Sequence, residues 1–399
     1  MIGRLTRSEG NGGAALIVAL FAVTILTALV VVFASVARTD ALLAGNRATA
    51  LQAFYAAQSG LNYCRSVLAV DDPATDSAAD EWAQVGENAS GLEIPGFTVS
   101  AVIEDESARL NVNTATRDML TALPGMTEEA ADAILDWRDA DDEPRPLGAE
   151  SDYYLALPSP YEAANGSFET VDELRLVKGV DEALFEGDGT EMSPGLRNLV
   201  TVRSGERNVD HARRPRLNIN RATPAEVAAR LGDILTSEEL EAVERRRRQG
   251  PLASLADALA IEGAPWRKMA QALDRIRVDD RDSVEGTVNL NTARETVLEA
   301  IGLSAEVAQT LVESRAGEPL ETKGELANIA GMTGDMMRAV ADSVATKSSV
   351  FRVAASAQAE ARPLHAGVFA LVDRSGQAPR LIMWREQSTS PAGATAGEE

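Results

Sequence analysis

Cysteine is all but missing from this chain of 399 residues: Cys64 stands alone, so no disulfide can close within it. Histidine is nearly as scarce. His211 and His365 lie far apart in sequence with no evident co-ligands or nucleophile beside them, which counts against a His-based triad or zinc site. Positive charge is short as well: 38 Lys and Arg face 61 Asp and Glu, a net of −23. Such a balance repels nucleic acid and anionic membrane surfaces and favours cations. These shortages point away from an enzyme and toward a structural or binding protein.

Long apolar runs are also rare, with one exception. Residues Ala14 to Ala37 pass 24 positions without a charge. As a helix that run spans roughly 36 Å, enough to cross a hydrocarbon core of about 30 Å. Arg4 and Arg7 precede it, favouring a cytoplasmic N-terminus and an exported body. The run is longer than the apolar core of a cleaved secretory signal. An ordinary uncleaved anchor is one reading. The other rests on the short polar leader, which ends in Gly10-Asn11-Gly12-Gly13 immediately before the apolar stretch. This resembles the type IV pilin leader, and the resemblance implies cleavage between Gly13 and Ala14. Leu43, Ala50, Phe54, Ala57 and Leu61 keep helical spacing beyond the membrane, so one helix is expected to run from the bilayer into the body. The stretch AGNRATALQAFYAAQSGL resembles the N-terminal region of minor pilins. At the fifth mature position, where pilins commonly carry Glu, stands Val18. A carboxylate there would need a partner inside the membrane. The K-type minor pseudopilins also lack it.

The middle of the chain repeats itself. Leu110-Asn-Val-Asn113, Leu217-Asn-Ile-Asn220 and Val288-Asn-Leu-Asn291 open three units, each followed by a helical pattern ending in Arg138, Arg247 or Arg315. Phe168, Leu174 and Gly179 recur at the same spacing as Leu320, Leu326 and Gly331, giving the first and third units a common tail. Thr223-Pro224-Ala-Glu226 reads as a capping box, and Thr127, Ser237 and Ser304 read as N-caps. The Asn pairs suit turns in which the side chain bonds the backbone. The units resemble helix-hairpin-helix modules, some of which bind DNA, so a membrane-anchored DNA receptor of the competence type is an alternative. Charge opposes it: the hairpin of the first unit, 117–143, carries a net −7 and that of the third, 294–325, a net −4. The second, 221–248, is balanced, with Arg245 to Arg248 as its one basic run. A DNA-binding face needs a basic footprint, so nucleic acid is not an expected partner.

Seven carboxylates fall within the seventeen residues from Asp136 to Asp152. A hard cation such as Ca²⁺, which takes roughly six to eight oxygens, could collect them. The expected ligands are Asp136, Asp139, Asp141, Asp142, Glu150 and Asp152. The plainer reading is an exposed acidic loop, because the pattern is not an EF-hand. The order Asp-Trp-x-Asp-x-Asp, Gly-Ala-Glu, Tyr-Tyr and Glu-Leu resembles the K-type minor pseudopilin of type II secretion systems, and the resemblance also implies low-affinity Ca²⁺ binding.

Strand signals occur at Phe97 to Glu104, by alternation, and again at 350–355, 368–373 and 380–385, the last two separated by a hairpin loop. The expected fold is α+β: an N-terminal transmembrane helix running into a pilin-like α/β core, with a large all-α domain of helix-hairpin-helix-like repeats inserted. The expected boundaries are a leader over 1–13, a transmembrane helix over 14–37 and an amphipathic helix with the first strand over 38–106. The inserted helical domain follows over 107–346, the remaining strands over 347–387 and a disordered tail over 388–399. The resemblance implies a subunit of the secretion pseudopilus, single-pass in the inner membrane with its body in the periplasm. It would be processed by prepilin peptidase, join the I- and J-type minor pseudopilins and the inner-membrane assembly platform, and cap the filament tip. A minor pilin at the tip of another type IV pilus is a further alternative. The three units are one repeat more than the family pattern, which suggests a lineage-specific surface.

Overall fold

The computed structural model describes residues 12–88, 92–190 and 193–387. The leader residues 1–11 and the tail 388–399 lie outside the described residues. One helix, α1 (Gly12–Val70), carries the whole N-terminal region. Its apolar first half is bare: Leu16, Phe21, Leu29 and Phe33 are all at least 60% exposed. It is the one described helix long and apolar enough to cross a membrane. Its second half buries Ala53, Ala57, Leu61, Cys64 and Leu68 at steps of three and four, one stripe of an α-helix.

That stripe packs on a four-stranded antiparallel sheet formed by β1 (Phe97–Asp105), β2 (Val350–Ala359), β3 (His365–Asp373) and β4 (Arg380–Gln387), in that spatial order. The register pairs Phe97 with Ala359 and Asp105 with Phe351. Alternation then turns Ala101, Ile103, Val353, Ala355, Val368 and Ala370 toward the helix, where they form one core with Leu61 and Leu68. Strands adjacent in this sheet, β1 and β2, are thus separated in sequence by most of the chain. Between them, from Glu106 to Ser349, lie helices, turns and strands of two or three residues. They share a second core.

The repeats are built alike. Short helices pair at Arg117–Thr121 and Glu128–Arg138, at Pro224–Leu231 and Ser237–Gln249, and at Glu295–Ala300 and Ala305–Arg315. In each unit the first Asn caps the turn, its Oδ1 accepting the N–H of the second Asn at 2.9–3.0 Å. The second Asn is a two-way clamp. Asn113, Asn220 and Asn291 accept from the N–H of Phe168, Leu252 and Leu320 and donate back to the carbonyls of the same three residues. The terminal arginine closes the unit by donating to carbonyls near its start: Arg138 to Val112 and Ala115, Arg247 to Ala222, Arg315 to Leu290 and Ala293. Buried carbonyls left unpaired would each cost about 1–3 kcal/mol, which explains why these positions repeat.

Three details differ from the sequence expectations. The second unit has the same tail as the others, through Leu252, Ala258 and Gly263. The glycines ending all three tails, Gly179, Gly263 and Gly331, share a left-handed φ of 80–88°. The N-cap expected at Ser237 is its neighbour Thr236, whose hydroxyl accepts from Glu239 N–H while the Glu239 carboxylate accepts from Thr236 N–H. The repeats also contain strands: Leu110–Asn111, Leu217–Asn218 and Val288–Asn289 pair in parallel with Val200–Thr201, Ile276–Arg277 and Val344–Ala345. Ladders of two residues are too short to leave an alternating pattern.

A buried ionic cluster joins the second unit to the third. Glu206 is 1% exposed and receives both terminal nitrogens of Arg216, at 2.6 and 3.1 Å. Arg216 also donates from Nε to the Asp274 carbonyl at 3.0 Å. Lys347 Nζ lies 3.9 Å from Glu206 and donates to Val209 O, and Lys323 is buried in the same group.

Candidate functional site

The acidic loop leaves the C-terminal end of the helix Glu128–Arg138 and returns at the short helix Ser151–Leu155. The six expected ligands divide. Asp136 is fully buried and already has a cation: Arg145 donates to it from Nη1 at 2.5 Å and from its backbone N–H at 3.1 Å. The same Nη1 reaches Asp139 Oδ2 at 2.6 Å. Gly148 makes this possible, since a Cβ there would sit 1.8 Å from Asp136 Oδ2. Asp142 accepts from Asn165 Nδ2 at 2.8 Å, and Asp152 is an exposed first-turn acid.

The other three converge. Asp139, Asp141 and Glu150 each offer a carboxylate oxygen, and these oxygens all lie within 4.8 Å of one another. That span is about twice a Ca²⁺–oxygen distance, the separation of ligands across one ion. Both Glu150 oxygens are buried without a hydrogen-bond partner, and so is Asp139 Oδ1. Burial, then the charges of Asp136, Asp139, Asp142 and Asp141, push the Glu150 carboxyl up to about 7. Uncompensated buried acceptors in an all-oxygen set are what a hard cation would satisfy.

Aromatic packing holds the loop from beneath. Trp137 meets the Tyr154 ring edge-on at 5.2 Å and stacks on Phe168 at 6.3 Å, and Tyr154 stacks on Tyr161 at 5.3 Å. At the second unit's basic run, Arg246 donates to Gly250 O and Arg247 pairs with Glu244, so half of that run is engaged within the fold. Gly13 and Ala14, the expected cleavage site, lie in the first turn of α1.

Residues 97–187 and 288–347 match models of the family described as type II secretion system (T2SS), protein K. These segments hold β1 with the acidic loop, and the third repeat; the second repeat lies between them. The chain is 33% identical over 132 residues to the type II secretion system protein K of Pectobacterium carotovorum, covering 28% of this chain and 40% of that one. For the Pseudomonas aeruginosa protein K the figures are 30% over 220 residues, 48% and 63%. A human endonuclease/exonuclease/phosphatase family domain-containing protein 1 is 31% identical over 183 residues, 42% of this chain and 27% of that protein. The chain therefore spans between about a quarter and two thirds of these relatives. Among solved structures, a chain of the GspK-GspI-GspJ complex from the enterotoxigenic Escherichia coli type 2 secretion system superposes with a TM-score of 0.55 at 16% identity. That match covers 88% of this chain and all of the other. At that identity the likeness is one of fold.

Proposed function

The chain belongs to the type II secretion system protein K family, and we propose that it works there as a minor pseudopilin at the pseudopilus tip. The observation that carries this is α1. One uninterrupted helix is bare and apolar at its start and built into the sheet at its end, so anchor and body move as one piece. After cleavage before Ala14 by prepilin peptidase, this helix packs beside those of the I- and J-type minor pseudopilins at the inner-membrane assembly platform. The body then stands in the periplasm. Val18 supplies no carboxylate for the next subunit's amine. The helical insert, read as helix-hairpin-helix-like units used for packing, blocks addition above. Filament growth then proceeds only from below, in support of protein export.

The test is co-purification of the full chain with I- and J-type subunits from detergent-solubilised membranes. We expect one complex. Leu43 and Leu51 are exposed on α1 at 48% and 55%. Changing both to Lys is expected to lower recovery about tenfold, some 1.4 kcal/mol of association. Recovery of the chain alone while the I- and J-type subunits stay together would contradict the proposal.

We propose further that Asp139, Asp141 and Glu150 hold Ca²⁺ with low affinity, while Asp136 and Asp142 fix the loop through Arg145 and Asn165. Bound Ca²⁺ would neutralise the crowded carboxylates and satisfy the two Glu150 oxygens. At a hundredfold excess over Kd, Ca²⁺ is expected to stabilise the protein against urea by about 2–3 kcal/mol. Glu150→Gln should remove that gain without unfolding the Ca²⁺-free protein. Absence of both a calorimetric signal and Ca²⁺-dependent stabilisation would end this reading.

A further inference from the structure

Seven large hydrophobic side chains outside α1 are exposed among the described residues, and four of them, Leu147, Tyr153, Leu155 and Leu176, belong to the first repeat unit. They are 42–48% exposed. They also lie in one region of the surface. Lys178 Nζ donates to the Leu147 carbonyl at 3.1 Å and lies 5.2 Å from the centre of the Tyr153 ring. Tyr153 packs edge-on against Tyr154, Tyr154 stacks on Tyr161, and the Tyr161 hydroxyl donates to the Leu176 carbonyl at 2.8 Å. Leu155 ends the helix that carries Tyr153. Single exposed apolar residues need no explanation, but a cluster of this kind marks an interaction site.

The surroundings say what it takes. Between Asp139 and Lys178 the chain has ten acids and three bases, and each base is held by carboxylates: Arg145 by Asp136 and Asp139, Arg175 by Glu182 and Glu186, and Lys178 by Glu129. An anionic membrane or a second copy of this chain would meet like charge. Pro144, Pro146, Pro158 and Pro160 are exposed around the patch, and the aromatic stack fixes it from below. A surface held this way loses little entropy on binding.

We infer that Leu147, Tyr153, Leu155 and Leu176 form a docking surface for a cationic, amphipathic segment of a partner protein, its apolar side chains on the patch and its Lys or Arg over the acidic rim. Apolar contact supplies affinity, and the rim supplies sign selection and fast encounter. The inference does not depend on Ca²⁺ or on the identity of the filament.

The probes are two labelled heptapeptides, Lys-Leu-Lys-Phe-Lys-Leu-Lys and Lys-Ser-Lys-Ser-Lys-Ser-Lys. They are titrated in EDTA against the full chain in phosphatidylcholine nanodiscs, with empty nanodiscs as the reference. Fluorescence anisotropy should show the first binding at least tenfold more tightly than the second. Leu155→Ser with Leu176→Ser should remove that preference, whereas Leu381→Ser with Trp384→Ser, on the sheet, should leave it intact. Both pairs are part-exposed, and an unchanged circular dichroism spectrum verifies that the fold tolerates each change. Equal binding of the two peptides, or an unaltered preference in the Leu155/Leu176 variant, would overturn the inference.

Discussion

Replacing Arg216 by Met is expected to destabilise the protein by about 3–5 kcal/mol, the largest single-site loss we anticipate outside the sheet core. The change keeps much of the volume and removes one guanidinium. Glu206 then remains 1% exposed without its two-pronged partner. Burial alone would raise the Glu206 carboxyl; the charges of Arg216, then Lys323 and Lys347, outweigh it and hold that carboxyl below its usual range. Losing the first of these leaves a buried carboxylate that must either protonate or open the joint. Urea denaturation of the full chain measures the loss, and the double variant Arg216→Met/Glu206→Met is expected to recover most of it. A loss under about 1 kcal/mol would mean that water reaches Glu206 and that the joint is not sealed.

Lys323→Met, in the same cluster, should have the opposite sign. Lys323 is 3% exposed, and burial, then the charge of Arg216, lowers its pKa to about 8 against the pull of Glu206 and Asp274. A base with a depressed folded pKa penalises the fold at every pH below about 8, where the ammonium must be buried. The penalty fades as pH rises from there toward the unfolded value of 10.5. A shift of that size corresponds to roughly 3 kcal/mol at full effect. Part of the gain is offset because Glu206 also loses an attracting charge. Met is therefore expected to stabilise by about 1–3 kcal/mol at pH 7 and by much less at pH 10. A loss of stability at pH 7 would show that Lys323 is a required counter-ion.

These two residues also mark where sequence reading ran out. The chain announces α1 by its uncharged run and β1 by strict alternation from Phe97 to Ile103. The repeated Asn pairs announce the units, because the same carbonyls must be satisfied in each. Arg216, Lys323 and Glu206 carry no such signal. They are charged residues at positions of no period, and only the stacking of units two and three buries them together. The tail of the second unit was masked by Ala258, a small residue where the other units have Leu, and by intervals from Asn to tail that differ between units. At the acidic loop, composition pointed to the region but not to its division. Asp136 and Glu150 look equivalent as letters. Folding places Arg145 against Asp136 and leaves both oxygens of Glu150 without a partner. Ser237 and Thr236 are adjacent hydroxyl residues, and cap geometry alone chooses between them.

The central claim is that this helix enters a pseudopilus by the pilin route, and the mature N-terminus tests it most directly. Full-length protein should be recovered from membranes of cells with and without active prepilin peptidase, and its first residue read by intact-mass and peptide mass spectrometry. A start at Ala14 that depends on the peptidase is the predicted result. A start at Met1 or Ile2 in both backgrounds would contradict it and make α1 a permanent anchor.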